Sequence, residues 1–250
     1  MPPPYRGVLL DLFGTLITFD VERLPALDVD GGRMRTTVGA LGGLLAEFVP
    51  GTTPQEFLRA LVSVSDEMAR ARGYDHVELP SRERFRRALE RVGCDDGWLL
   101  EAAASLSRAH MACIVAATVL PPAHAALVAA LRPRYRLGLV SNFDDTGAAW
   151  DILRRHGLIE ALDTVVVSEA LGLRKPHPAL LRTGLRGLGL PREAVLFVGD
   201  TFAEDVVGAH AAGVDVAWID AGGSGVPPAR EPPAHVVREL VAIRELLDVL

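Results

Sequence analysis

Residues 8–15 read Val-Leu-Leu-Asp-Leu-Phe-Gly-Thr, an apolar run that ends in Asp11 and turns at Gly14-Thr15. A carboxylate at the C-terminal tip of a buried strand stands where an α/β sheet presents its reactive groups, and there it can serve as a nucleophile. Two positions on, where a second acid would be most useful, the chain has Phe13. Three later strand ends carry polar residues in the same manner. Ser141-Asn142 follows the apolar run 137–140, and Lys175-Pro176 follows 164–167 after a short loop. The segment Gly199-Asp200-Thr201-Phe202-Ala203-Glu204-Asp205 follows 196–198. Each alone is ordinary, since Ser-Asn is a common turn and Lys-Pro a common loop pair. Four in order, each beyond an apolar run, are specific.

The elements that must position these groups alternate. Short apolar strands are expected at 8–10, 136–140, 164–167, 194–198 and 214–219, with helices near 124–131, 148–155, 178–188 and 205–212 between them. Repeated strand–helix units imply right-handed crossovers and a mainly parallel sheet. The Gly- and Pro-rich stretch 221–233 reads as a loop, and Val237, Leu240, Ile243 and Leu247 are spaced for a closing helix. From about 36 to 118 the pattern is helical. Thr53-Pro54 reads as a cap and first turn, Ser81 as the cap of an arginine-rich helix, Gly93 as its end, and 98–117 as a further helix. The expected fold is therefore α/β: a Rossmann-like parallel sheet sandwiched by helices, with an inserted all-helical cap. The core would comprise 1–17 and 119–250 and the cap 18–118, placed above Asp11 to exclude water and meet the substrate.

The four motifs and the insertion, taken together, resemble the haloacid dehalogenase superfamily of hydrolases over nearly the whole chain. The resemblance implies that Asp11 is a nucleophile forming a covalent aspartyl intermediate, that Thr15 supports it, and that Ser141 is an anion-binding hydroxyl. It also implies that Lys175 neutralises charge around the nucleophile and that Asp200 and Asp205 bind or support Mg²⁺. Asp11 completes the metal set, and Phe13 can join it through its backbone carbonyl. Gly14 and Asn142 fall on the substrate side, Asn142 being equally readable as a turn residue. The chemistry asks for these residue types independently. Charge that develops on phosphoryl oxygens needs cationic and hydrogen-bonding partners. Two carboxylates near an anionic substrate need an intervening hard cation, which favours Mg²⁺.

The motifs pull in two directions. The family's phosphatases carry Asp at the position of Phe13, where it protonates the leaving group; its 2-haloacid dehalogenases carry an aromatic residue there, because halide leaves unprotonated. Those dehalogenases have a Ser-rich, Asn-containing segment in place of Gly199-Asp200 and use a cap arginine to receive halide. Arg33 and Arg35 fall in the insertion without a clear motif. Asp200 weighs more than Phe13, because an acidic metal ligand has no role in a metal-free site and would repel a halocarboxylate. The expected function is a Mg²⁺-dependent phosphatase of small phosphorylated metabolites, favouring leaving groups that need no proton, such as acyl phosphates. The alternatives are 2-haloacid dehalogenation and a phosphate-ligand binding or regulatory protein that has lost turnover.

The resemblance implies a small anionic substrate as the partner, and bulk properties exclude others. The 250 residues carry a net charge of −6 and 49% hydrophobic residues, which argues against a generic nucleic-acid surface and for a sizeable core. Arg82, Arg84, Arg86, Arg87 and Arg91 alternate with apolar residues at helical spacing and read as a solvated face. Cys94 and Cys113 lack metal or disulfide spacing, and His177 beside Lys175 reads as incidental. No targeting segment or run of membrane-spanning length is read, so a cytoplasmic protein with no membrane partner is expected. Oligomeric state is left open.

Overall fold

A computed structural model describes residues 5–227 and 230–248, the side chains of 72–74 excepted. Residues 1–4, on which part of the N-terminal reading rests, and 228–229 of the expected loop lie outside the described residues. Six parallel strands form one sheet: β1 (Gly7–Leu10), β2 (Arg136–Ser141), β3 (Thr164–Val167), β4 (Val195–Gly199), β5 (Asp215–Ile219) and β6 (His235–Val237). Their order is β6-β5-β4-β1-β2-β3. The chain runs outward from β1 to β3, then returns to lay β4, β5 and β6 on the other side. The order therefore reverses between β1 and β4, the crevice where open α/β sheets hold ligands. Leu10 pairs with Leu139 on one side and Val198 on the other. One or two residues beyond that register, Asp11, Ser141 and Asp200 leave the same edge.

Burial explains why these strands read as continuous apolar runs. Every residue of β1 and β4 is buried, as strands covered on both faces must be. Leu9, Val140, Val166, Phe197 and Trp218 share a core with Leu180, Leu181 and Leu188 of helix Ala179–Leu188. That helix closes on the sheet at Gly184, where a Cβ would lie 2.9 Å from Val140 Cγ2 and 3.0 Å from Leu9 Cδ1.

The chain divides into two compact units. One runs through Phe19, Val119–Thr146 and from Leu153 onward and contains the sheet; the other comprises Asp20–Thr118 with Gly147–Ile152. In the second, helices Pro54–Asp75, Ser81–Arg91 and Leu99–Ala117 contribute Phe57, Val64, Phe85, Leu89, Ala102 and Leu106 to one core. The rings of Phe57 and Phe85 stack with centroids 6.1 Å apart. Thr53 and Glu56 form a reciprocal capping box: Thr53 Oγ1 accepts from Glu56 N–H, and Glu56 Oε2 accepts from Thr53 N–H. The arginine-rich helix is laced by ion pairs, Arg86 and Arg87 each lying 2.7 Å from Glu83.

Four local expectations need correction. Residues 26–35 of the insertion are not helical: Ala26–Val29 pairs antiparallel with Gly32–Arg35. Asp30 and Gly31 supply the two left-handed residues of the turn, at φ +50° and +80°; Asp-Gly is the local signal for such a hairpin. Its strands are half-exposed and exposed, so they carry little apolar pattern. Ser81 is the first helical residue rather than the cap, because Pro80 takes the extended cap conformation. The expected closing helix is mostly absent: Val237 ends β6, and only Ile243–Leu246 is α-helical after a turn at Leu240–Ala242. The apolar spacing there serves an edge strand and a short helix in turn. Finally, helix Leu99–Ala117 is long and apolar enough to cross a membrane by length and composition. Its Leu99, Ala102, Ala103 and Leu106 instead lie in the core of the helical unit.

One buried imidazole makes that unit sensitive to acid. An arginine can only donate, so His110 Nε2, 3.4 Å from Arg84, is an acceptor, and Nδ1 donates to Thr37 Oγ1 at 2.7 Å. Burial first, then the Arg84 charge, hold His110 down at about 3. The unfolded chain takes up this proton near pH 6.5 and the folded chain does not, so stability falls as pH drops from about 6.5. His110→Gln keeps a donor and an acceptor without titrating. Thermal melts between pH 7.5 and 5 are expected to show a smaller fall in Tm for the variant than for the native chain; equal falls would contradict this origin.

Candidate active site

The site is built around a buried ammonium group. Lys175 reaches the sheet edge from the loop after helix Ser168–Leu171. Its Nζ lies 2.6 Å from Asp11 Oδ1, 2.7 Å from Asp205 Oδ1 and 3.1 Å from the Val140 carbonyl oxygen. Two hydrogen bonds, to Asp11 and to the Val140 carbonyl, and an ion pair with Asp205 thus hold the ammonium group. Its Nζ also stands 5.3 Å from the centroid of the Phe197 ring. Burial would lower the basicity of an amine, but the carboxylates of Asp11 and Asp205 more than reverse this and hold Lys175 above its usual range. Burial raises Asp11 to about 7, with the Asp205 charge adding and Lys175 opposing. Asp200 is also raised, by burial and then by Asp205.

Each acid is placed by its own local structure. Asp11 continues the sheet register, its N–H donating to the Val198 carbonyl at 2.9 Å. Asp200 accepts from Thr15 Oγ1 at 3.3 Å, and its own carbonyl accepts from Trp218 Nε1 at 2.9 Å. Asp205 sits in a wide π turn, Phe202–Val206, with its Oδ2 accepting from Thr201 N–H at 2.9 Å. Two glycines make room. At Gly14, φ is +78° and a Cβ would lie 2.3 Å from Asp200 Oδ2; at Gly199 a Cβ would lie 2.4 Å from Asp205 Cγ.

Carboxylate oxygens of Asp11, Asp200 and Asp205 lie within 4.8 Å of one another. Three carboxylates therefore face one ammonium group, a donor set of hard oxygens with uncompensated negative charge that fits Mg²⁺. A second observation points to an anion. Ser141 Oγ is buried and has no hydrogen-bond partner among the described residues, an arrangement that folded proteins rarely leave without a ligand or water.

Thr15, Ser141, Lys175, Asp200 and Asp205 are thus brought together with Asp11. Asn142 is committed elsewhere. Its Oδ1 accepts from Lys175 N–H at 2.7 Å, and its Nδ2 donates to the Lys175 carbonyl at 3.0 Å and to Glu204 at 2.8 Å. Glu204 in turn accepts from Arg174 at 2.9 Å. The sequence reading missed Glu204 and Arg174 as the clamp behind Lys175. Glu204 lay within the quoted motif, but nothing local linked it to residue 142 or 174. Phe13 brings a ring rather than an acid, with its centroid 5.1 Å from that of Phe143. His177 Nδ1 accepts from Ala179 N–H at 3.2 Å at the start of a helix. In the other unit, Arg35 is held by Glu22 at 3.2 Å and the Leu24 carbonyl at 3.1 Å, and Arg33 is exposed on the hairpin.

Comparison with known proteins agrees with this geometry. The family model of haloacid dehalogenase-like hydrolases matches residues 5–213. The chain is 33% identical over 162 residues to a phosphoserine phosphatase of Thermus thermophilus, covering 63% of this chain and 61% of that one. It is 36% identical over 86 residues to a glyceraldehyde 3-phosphate phosphatase of Methanothermobacter thermautotrophicus, covering 34% and 38%. The chain thus spans between about two fifths and three fifths of these relatives' lengths. Among solved structures, a 2-haloacid dehalogenase from Pseudomonas syringae pv. Tomato DC3000 aligns over 98% of both chains with a TM-score of 0.72 at 23% identity. That likeness is one of fold.

Removing the ammonium group tests the electrostatic account. Lys175→Met fills similar volume but leaves Asp11 and Asp205 buried without their cation. Urea unfolding at pH 8 is expected to show a loss of about 3–5 kcal/mol; a loss below about 1 kcal/mol would show that the acids do not depend on Lys175.

Proposed function

The chain belongs to the haloacid dehalogenase-like hydrolase family, and on that premise we propose that it is a Mg²⁺-dependent phosphatase of small phosphorylated metabolites with Asp11 as nucleophile. The observation that carries this reading is the excess of buried carboxylate. Among the described residues, Asp11, Asp200 and Asp205 cluster around a single paired cation, Lys175, which contacts Asp11 and Asp205, and a metal-free site for an anionic substrate would have no use for Asp200. The phosphatase names of the two curated relatives support the same substrate class.

In this reading Asp11, Asp200 and the Phe13 carbonyl hold the ion, and Asp205, with both oxygens already engaged, braces Lys175. Bound Mg²⁺ would supply Lewis-acid stabilisation of charge on the phosphoryl oxygens. Lys175 holds one Asp11 oxygen, which aims the other at phosphorus. That oxygen forms the new bond as the bond to the leaving group breaks. The Ser141 hydroxyl donates to a phosphoryl oxygen and so gains its missing partner. Water then attacks phosphorus of the aspartyl phosphate, releasing inorganic phosphate and restoring Asp11. Phe13 cannot protonate the departing oxygen, so leaving groups stable as anions are preferred.

The dehalogenase reading is favoured by one residue, Phe13. It requires chloride release from 2-chloropropionate without added metal.

Two measurements test the proposal. Phosphate release from acetyl phosphate is expected to require Mg²⁺ and to fall to background in Asp11→Asn; release that ignores both would contradict it. Phe13→Asp restores a proton donor and is expected to accelerate hydrolysis of alkyl phosphates by roughly 10²–10⁴. No gain would place the limit elsewhere than protonation.

A further inference from the structure

Phe13 and Phe143 are the two residues at the site edge for which charge chemistry offers no use. Phe13 lies two positions beyond the nucleophile and Phe143 two beyond Ser141. Their ring centroids are 5.1 Å apart at an interplanar angle of 59°. Both are half-buried, whereas Leu12 and Leu16 beside Phe13 are fully buried. An aromatic pair that served packing alone would be expected inside. This one keeps apolar surface available at the place where a leaving-group acid would otherwise stand.

The pair is also held in place. Phe143 N–H donates to Ser168 Oγ at 2.9 Å, and the Ser168 hydroxyl donates back to the Phe143 carbonyl at 3.1 Å. Ser168 is fully buried. The Glu169 N–H adds a third bond to that carbonyl at 3.3 Å. On the Phe13 side, Gly14 N–H donates to the Ile17 carbonyl at 3.0 Å and Ile17 N–H to the Leu12 carbonyl at 2.9 Å. Both rings thus stand on backbone that is fixed before any ligand arrives, which lowers the ordering cost of binding.

We propose that Phe13 and Phe143 form an aromatic platform for the leaving group, and that the substrates are phosphoryl donors whose leaving group is a planar aromatic acid: aroyl phosphates. The inference rests on the phosphatase reading and narrows it. An aroyl phosphate meets both demands of the site. Its ring packs against the two phenyl groups in tilted or offset contact. Its leaving oxygen departs as a carboxylate, which needs no proton. Asp11 oxygen bonds to phosphorus as the phosphorus–oxygen bond of the mixed anhydride breaks, and the electron pair leaves on the aromatic carboxylate. Water then cleaves the aspartyl phosphate, giving inorganic phosphate and a proton released to solvent.

Benzoyl phosphate and acetyl phosphate isolate the ring, since both are acyl phosphates with weakly basic leaving groups. The full chain with Mg²⁺ is expected to show kcat/KM roughly threefold to tenfold higher for benzoyl phosphate, a range set by aromatic pairing, with the difference in KM. Phe143→Leu is expected to bring the ratio near one, and Phe143→Tyr to retain the preference. A ratio near one in the native chain, or one untouched by Phe143→Leu while acetyl phosphate is still hydrolysed, overturns the platform alone. Failure to hydrolyse either substrate with Mg²⁺ overturns the phosphatase reading and the platform with it.

Discussion

The buried ammonium group of Lys175 is the constraint on which the rest of the structure depends. Withdrawing an ammonium ion from water costs several kcal/mol even after relaxation, and here it is offset by acceptors in Asp11 and the Val140 carbonyl and by the paired charge of Asp205. Those partners come from separate parts of the chain: the end of β1, the end of β2 and the turn after β4. The sheet must bring the three ends into one register before the lysine can be accommodated. Asn142, Glu204 and Arg174 then fix the backbone from which Lys175 projects. Fold and site are in that sense a single arrangement, and a slip in either would leave a charge stranded.

The same arrangement explains what the site demands from outside. One ammonium group does not balance three carboxylates, a donor set that a divalent cation fits, and Ser141 Oγ is buried with no hydrogen-bond partner among the described residues. Burial raises both Asp11 and Asp200, and a bound cation would favour their ionised forms. In the proposed phosphatase reading, attack on phosphorus is provided for and protonation of what leaves is not, so Phe13 would act as a restriction on substrate.

Much of this was legible in the sequence because the strand ends carry their chemistry locally. Asp11, Ser141, Lys175 and Asp200 each follow an apolar run that could only be a buried strand, and all four strands lie within a residue or two of their expected positions. The clamp around Lys175 was not legible, since Asn142, Arg174 and Glu204 meet only after folding. The hairpin 26–35 escaped because its strands are partly exposed and lack apolar periodicity, although Asp30-Gly31 marked its turn. The closing segment misled for the opposite reason: Val237, Leu240, Ile243 and Leu247 have helical spacing but belong to a strand end and a short turn of helix. The pairing of Phe143 with Phe13 joins residues 130 positions apart, and no local pattern announces it.

The central claim is that Asp11, held by Lys175, attacks phosphorus itself. Mass spectrometry of the chain, acid-quenched during turnover of acetyl phosphate with Mg²⁺ and digested, tests it most directly. The account predicts one added phosphoryl group on the peptide containing Asp11, lost on treatment with hydroxylamine. Turnover with that peptide unmodified, or with the phosphoryl group on another residue, would contradict it.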